Sequence, residues 1–230
     1  MQIFIDTANL TEIEHWLRMG VIDGVTTNPT IMLKDGVRDF EKGARQIAAL
    51  VDPRPLSVEV TTNDPAEMLV QARRFASWAP NIVVKVPQVT PDGTPCYDVM
   101  SQLEADRIRV NATVAMSLGQ VILSAKAGAS YVSIFAGRVS DEGGDAAGLI
   151  ARAADWLKRW GLATQVIVGS IRSVSDVLQA AMAGAHVITI PPLFLYKMAD
   201  HKYSRETVRQ FVADAEKALG LMQGVAREGA

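Results

Sequence analysis

Residues 81–90 read NIVVKVPQVT, a run of branched apolar side chains broken by one lysine, Lys85. Ile82, Val83, Val84 and Val86 leave the stretch no polar face, so it reads as a strand covered on both sides. Burying a charged ammonium in such a run costs free energy, so Lys85 needs a reason to be there. Seven further runs have the same character: QIFID (2–6), GVTTN (24–28), LSVEV (56–60), RVNATV (109–114), YVSIF (131–135), QVIVG (165–169) and HVITI (186–190).

Between these runs lie segments of helical period. In LTEIEHWLRMG (10–20), Thr11 and Glu14 match a capping box, Ile13, Trp16 and Leu17 share a face, and Gly20 ends the turn. NDPAEMLVQARRFASWA (63–79) has Asn63 or Asp64 as cap and Pro65 near the first helical position. In SVSDVLQAAMAGA (173–185), Ser173 caps, Asp176 follows three on, and Gly184 stands just past the end. DAAGLIARAADWLKRWG (145–161) and SRETVRQFVADAEKALGLM (204–222) are amphipathic. Strand and helix alternate eight times with no Gly/Ser/Pro-rich linker. That predicts one α/β domain over residues 1–230, a single (β/α)8 TIM barrel with an additional C-terminal helix from about residue 204. An open doubly wound sheet would carry a Gly-rich turn after its first strand, and IDTANLTE (5–12) has none.

The composition narrows the function class. A net charge of −2 over 230 residues gives no footprint for nucleic acid or for an anionic membrane. No apolar run approaches the ~20 residues of a membrane span, and MQIFIDTANL opens as a strand rather than a signal peptide. With one cysteine, Cys96, no disulfide forms within the chain, and a cytoplasmic setting is expected. His15, His186 and His201 lack metal-ligand spacing. DEGGDAAG (141–148) is Gly-rich but lacks the lysine and Ser/Thr of a phosphate-binding P-loop; it reads as a loop after Arg138.

In a barrel the chemistry sits where strands end. The polar residues there are Asp6; Thr26, Thr27 and Asn28; Glu59; Lys85; Asn111 and Thr113; Ser133 and Arg138; Ser170 and Arg172. Singly, each has a plainer reading. Asp6 could cap a helix, Asn28-Pro29 could mark a turn, Lys85 could snorkel outward, and Arg172 could be a solvated loop residue. Together they form a ring around one mouth. An amine deprived of water favours its neutral form, and a neutral amine among acids and hydroxyls is suited to attack a carbonyl and form a Schiff base. The iminium then draws electrons from a neighbouring carbon–carbon bond. Asp6 or Glu59 can supply the base for that step, and Glu59 with Thr113 a relay for the water lost and regained. Arg138, Ser170 and Arg172 make the opposite end of the mouth suited to a phosphate.

The ordered motifs FIDTAN, GVTTNPT, IVVKVP, SIFAGR and GSIR resemble those of the small transaldolase family, which includes bacterial transaldolases and fructose-6-phosphate aldolase. The resemblance runs from Met1 into the final helix. It implies a Schiff-base lysine at Lys85, no metal or organic cofactor, and sugar phosphates as substrates. It also implies that Asp6, Glu59 and Thr113 act in catalysis, and that Thr26, Asn28, Asn111, Ser133, Phe135, Arg138, Ser170 and Arg172 bind substrate. The transaldolase branch is similar in its Glu59, Asn111, Thr113, Ser133 and Phe135. The aldolase branch has Gln, Ala and Tyr at the positions of Glu59, Ser133 and Phe135, with the Tyr hydroxyl as proton donor to its intermediate. Phe135 has no proton to give, which implies transfer of a dihydroxyacetone unit from a ketose phosphate to an aldose rather than its release. Gly169 and Ile171 depart from the usual Ala and Phe, and VPQVTPDG (86–93) from the common family version, so a sulfonated ketose in place of the phosphate is one alternative; release of free dihydroxyacetone, the aldolase branch's activity, is the other. Homo-oligomers are implied too, as rings of subunits, pentameric or decameric. VRQFVADAEKALGLM (208–222) has an apolar stripe that would dock on a neighbour, although the same stripe could cover the chain's own barrel.

Overall fold

The computed structural model describes residues 1–228, with side chains through residue 220. It contains two compact units, Met1–Pro192 and Leu193–Ala230. In the first, eight parallel strands close on themselves in chain order. They are β1 (Gln2–Asp6), β2 (Gly24–Thr26), β3 (Leu56–Glu59), β4 (Ile82–Pro87), β5 (Val110–Ala115), β6 (Tyr131–Phe135), β7 (Gln165–Gly169) and β8 (Val187–Ile190). The ring shuts where β8 pairs β1, Ile190 beside Ile5. The expected (β/α)8 barrel is therefore the fold.

The helices of this unit are α1 (Leu10–Arg18), α2 (Pro29–Lys34), α3 (Phe40–Val51), α4 (Pro65–Ala76), α5 (Tyr97–Ala105), α6 (Leu118–Lys126), α7 (Ala136–Asp141), α8 (Ala146–Arg159) and α9 (Val174–Met182). Their starts follow side-chain chemistry. Asp64 caps α4 with Pro65 behind it, and Ser173 and Asp176 close a reciprocal capping box on α9. At α1 the cap is not Thr11 but Asn9, whose Oδ1 accepts from the backbone N–H groups of Thr11 and Glu12. Asn outranks Thr at this position, and the chain is still extended there. Asn28-Pro29 is more than a turn: Asn28 caps α2 and Pro29 is its first residue. DEGGDAAG (141–148) is loop only in its middle, since Asp141 ends the short helix α7 and Ala146 opens α8. Among the described residues, no helix is long and apolar enough to cross a membrane.

Side chains alternate across each strand, so residues two apart share a face. Phe4, Val83, Tyr131, Ile167 and Val187 form an apolar cluster inside the barrel. Removing side chains of this size from water contributes roughly 1.5–3 kcal/mol each. Phe4 fits because β2 opposes it with Gly24, where a Cβ would stand 2.7 Å from the ring. Two residues further along the same strands come Asp6, Lys85, Ser133, Gly169 and Thr189. The apolar floor and the polar layer are thus the same inward face at successive heights.

The second unit contains α11 (Lys202–Glu228), which begins two residues before the expected start. α10 (Pro192–Ala199) spans the border of the two units. On α11, Val208, Phe211, Val212 and Leu219 are exposed. Leu221 and Met222 of the expected stripe lie outside the residues whose side chains are described.

Candidate active site

Lys85 is 4% exposed, the value of a core residue. It points inward, not outward between the helices, and its surroundings are polar rather than apolar. Its ammonium lies 3.1 Å from Glu59 Oε2 and donates to the carbonyl oxygen of Thr27 at 2.9 Å. Pairing of β3 with β4 sets Glu59 beside Lys85, and pairing of β4 with β5 sets Asn111 beside it on the other flank. Neighbours in parallel register present their side chains to the same face, so this rung delivers a carboxylate, an amine and an amide to one height. A buried charge needs such a partner. Glu59 supplies it, and it can also take the proton that frees the amine.

Asn111 is fully buried and held on both sides. Its Oδ1 accepts from Ser133 Oγ at 2.6 Å, and its Nδ2 donates to Ser57 Oγ at 3.3 Å. On β5, a register shift between Ala112 and Ala115 accompanies a left-handed backbone at Val114, φ 64°. A β-branched residue is strained in that region, and such outliers gather at functional sites. The strain borders Thr113, whose buried hydroxyl has no protein hydrogen-bond partner.

Asp6 ends β1 and accepts from the Thr26 hydroxyl at 2.6 Å. Burial pushes its carboxyl above the usual carboxylate range. The Thr26 bond and the Lys85 charge pull it down, while the negative charges of Asp35 and Glu59 push it up. A carboxyl so placed can take a proton from a neutral hydroxyl.

A cavity of about 250 Å³ collects most of the expected residues: Asp6, Thr26, Asn28, Lys85, Ser133, Phe135, Arg138 and Ser170, together with Thr30, Ile31, Gly169 and Thr189. Asn28 spends its Oδ1 on capping Ile31, which leaves its amide N–H groups for the cavity. Glu59 and Asn111 reach the cavity through Lys85 and Ser133. Ser170 takes a left-handed conformation, φ 59°, immediately after β7. Thr113 does not line this cavity, and Arg172 is not brought into it either. Its guanidinium grips both carboxylate oxygens of Asp141 on α7, with Nη2 2.6 Å from Oδ2. It lines a separate cavity of about 180 Å³ with Gly137, Ser173 and Asp176. The pair holds Asp141 below the usual carboxylate range.

Sequence reading missed Thr189, whose hydroxyl lies within hydrogen-bond distance of Thr26 Oγ1. The available signal was its place two residues after the inward Val187. It also missed Asp35, whose Oδ2 accepts from Thr7 Oγ1 at 2.6 Å and from Ala8 N at 2.7 Å. No local pattern marks Asp35, because its partners are nearly thirty residues away.

The model of the Transaldolase/Fructose-6-phosphate aldolase family matches residues 3–227. A probable transaldolase of Dehalococcoides mccartyi is 44% identical over 214 residues, 93% of this chain and 97% of that protein. Those of Pelotomaculum thermopropionicum (42%, covering 94% and 98%) and Lactiplantibacillus plantarum (40%, covering 93% and 96%) are similar along the same length. Among solved structures, a mandelate oxidase variant with an FMN adduct superposes at TM-score 0.56 and 15% identity, over 82% of this chain and 63% of that one. Thiamine phosphate pyrophosphorylase from Pyrococcus furiosus does so at 0.55 and 14%, over 83% and 85%. Likeness at such low identity is a likeness of fold alone.

Proposed function

Since the chain belongs to the transaldolase/fructose-6-phosphate aldolase family, we propose that it is a transaldolase working through a Schiff base on Lys85. The observation that carries this reading is a buried lysine 3.1 Å from a carboxylate, opening on the same cavity as Asp6. Glu59 takes a proton from Lys85, and the free amine attacks the C2 carbonyl of a ketose phosphate such as fructose 6-phosphate. The carbonyl oxygen leaves as water once the C–N bond has formed, and Thr113 with Glu59 handles the protons of that exchange. Asp6 then removes the C4 hydroxyl proton. The C3–C4 bond breaks, its electron pair passes to the iminium, and the aldose leaves. An acceptor aldose reverses these steps, and hydrolysis regenerates the lysine.

Asn28, Asn111 and Ser133 hold the dihydroxyacetone portion, and Arg138 and Ser170 the anionic head. Arg172 joins them by exchanging Asp141 for the substrate's phosphate, one planar two-point contact for another. Phe135 on the cavity wall supports transfer over release, since it offers no proton to the enamine. A sulfonate head would meet the same donors, and a substrate panel separates it from phosphate.

Borohydride tests the central step. Wild-type protein incubated with fructose 6-phosphate and borohydride gains a permanent mass increment on Lys85, and K85A gains none and does not turn over. Full turnover by K85A would end this reading. Steady formation of free dihydroxyacetone from fructose 6-phosphate alone would assign the aldolase activity instead.

A further inference from the structure

We infer that Thr189 is a positioning residue for the general base, acting on Asp6 through the hydroxyl of Thr26. The inference rests on the proposed role of Asp6 and adds to it a residue from the strand that closes the barrel. Thr189 is 6% exposed and stands on β8, which pairs with β1 next to Asp6. Its methyl group faces β7, where Cγ2 would be 3.4 Å from a Cβ on Gly169. Its hydroxyl is turned instead to Thr26 Oγ1.

A hydroxyl has one proton. When Asp6 is ionised, as a base must be, Thr26 directs its own to Asp6 Oδ1 at 2.6 Å, so the proton between the two threonines then belongs to Thr189. The bonds therefore run in one direction, from Thr189 to Thr26 to the carboxylate. Accepting from Thr189 polarises the Thr26 hydroxyl and strengthens its donation to Asp6. It also fixes the rotor of Thr26, and hence the oxygen of Asp6 that stays engaged and the one left for the substrate. The charged groups acting on Asp6 are Lys85 from β4, Glu59 from β3 and Asp35 at the end of α2, with Arg138 of α7 on the same cavity. None of them orients the Thr26 hydroxyl. That task falls to Thr189.

The test is the isosteric Thr189→Val, with Thr189→Ser as the variant that restores the hydroxyl. T189V is expected to lower kcat about tenfold, within the loss that small displacements of a reacting group produce, and to leave KM within about twofold. The acidic limb of its pH–kcat/KM profile moves to higher pH, because a less stabilised Asp6 carboxylate holds its proton longer. Thr26→Val moves the limb the same way and further. Thr189→Ser recovers both kcat and the limb, and it also decides the question should T189V fail to fold: loss of rate in a folded T189S overturns the inference. A merely structural staple between β8 and β2 would lower stability and leave the limb in place. T189V with wild-type kcat and limb, while borohydride still traps substrate on Lys85, overturns the role of Thr189 alone. No trapped adduct on wild-type protein overturns the underlying reading and this role with it.

Discussion

At the scale of single residues, the protein solves the problem that NIVVKVPQVT raises by giving the buried lysine a carboxylate and a backbone carbonyl, and by keeping a second carboxylate, Asp6, apart on the Thr26 hydroxyl. In the proposed mechanism these two acids near one amine take different tasks: one trades protons with Lys85, the other is held ready for the substrate. Asp35 bears on the second. Its charge raises Asp6, and its Oδ2 fixes Thr7 and Ala8, directly after Asp6. Asp35→Asn can keep both bonds through its amide oxygen while losing the charge. Asp6 then ionises more readily and stays a competent base at lower pH. The acidic limb of kcat/KM is expected to move to lower pH, with kcat at neutral pH within about threefold; pH–rate profiles of the two proteins check this. Lys85, Asp6 and Glu59 were legible as a ring because each sits in or at the end of an apolar run. Asp35 and Thr189 were not, since one acts from a helix end distant in sequence and the other is an ordinary strand residue until its neighbour across the closed sheet is known.

At the scale of elements, the distinctive unit is the pair formed by the β6–α7 turn and the β7 loop. Gly137 lets them touch: a Cβ there would stand 2.8 Å from Ser170 Oγ and Arg172 Nε, and closer still to the Ser170 carbonyl oxygen. Backbone cannot yield as a flexible side chain can. Gly137→Ala is therefore expected to destabilise the fold by about 1–3 kcal/mol, seen as a lower urea midpoint at unchanged m-value. It should also raise KM for the phosphorylated donor, because it displaces Ser170 and Arg172 together. The capping signals of α4 and α9 were readable because caps are chemistry within four residues. The helix α7 gave no sequence signal because six residues, AGRVSD, carry too few turns to show a period.

At the scale of the whole molecule, closure joins β8 to β1 and so assembles one cavity from residues spread between Asp6 and Thr189. Outside that barrel unit, α11 exposes Val208, Phe211, Val212 and Leu219, a stripe at helical spacing. We expect a second copy of the chain to cover it. Light scattering should give a mass several times that of one chain, and Phe211→Glu should reduce it to a smaller species that still traps substrate on Lys85. A single-chain mass for the wild type would refute this. The sequence by itself determined the barrel, the strand count and the inward lysine, because a two-residue alternation and a helical period are properties of short stretches. Only the tertiary structure decided that Arg172 rests on Asp141, that a bulge strains the chain beside Thr113, and that Thr189 stands behind Thr26. Those arrangements depend on the stagger between strands and on the paths of loops, and they bring together side chains that no local spacing relates.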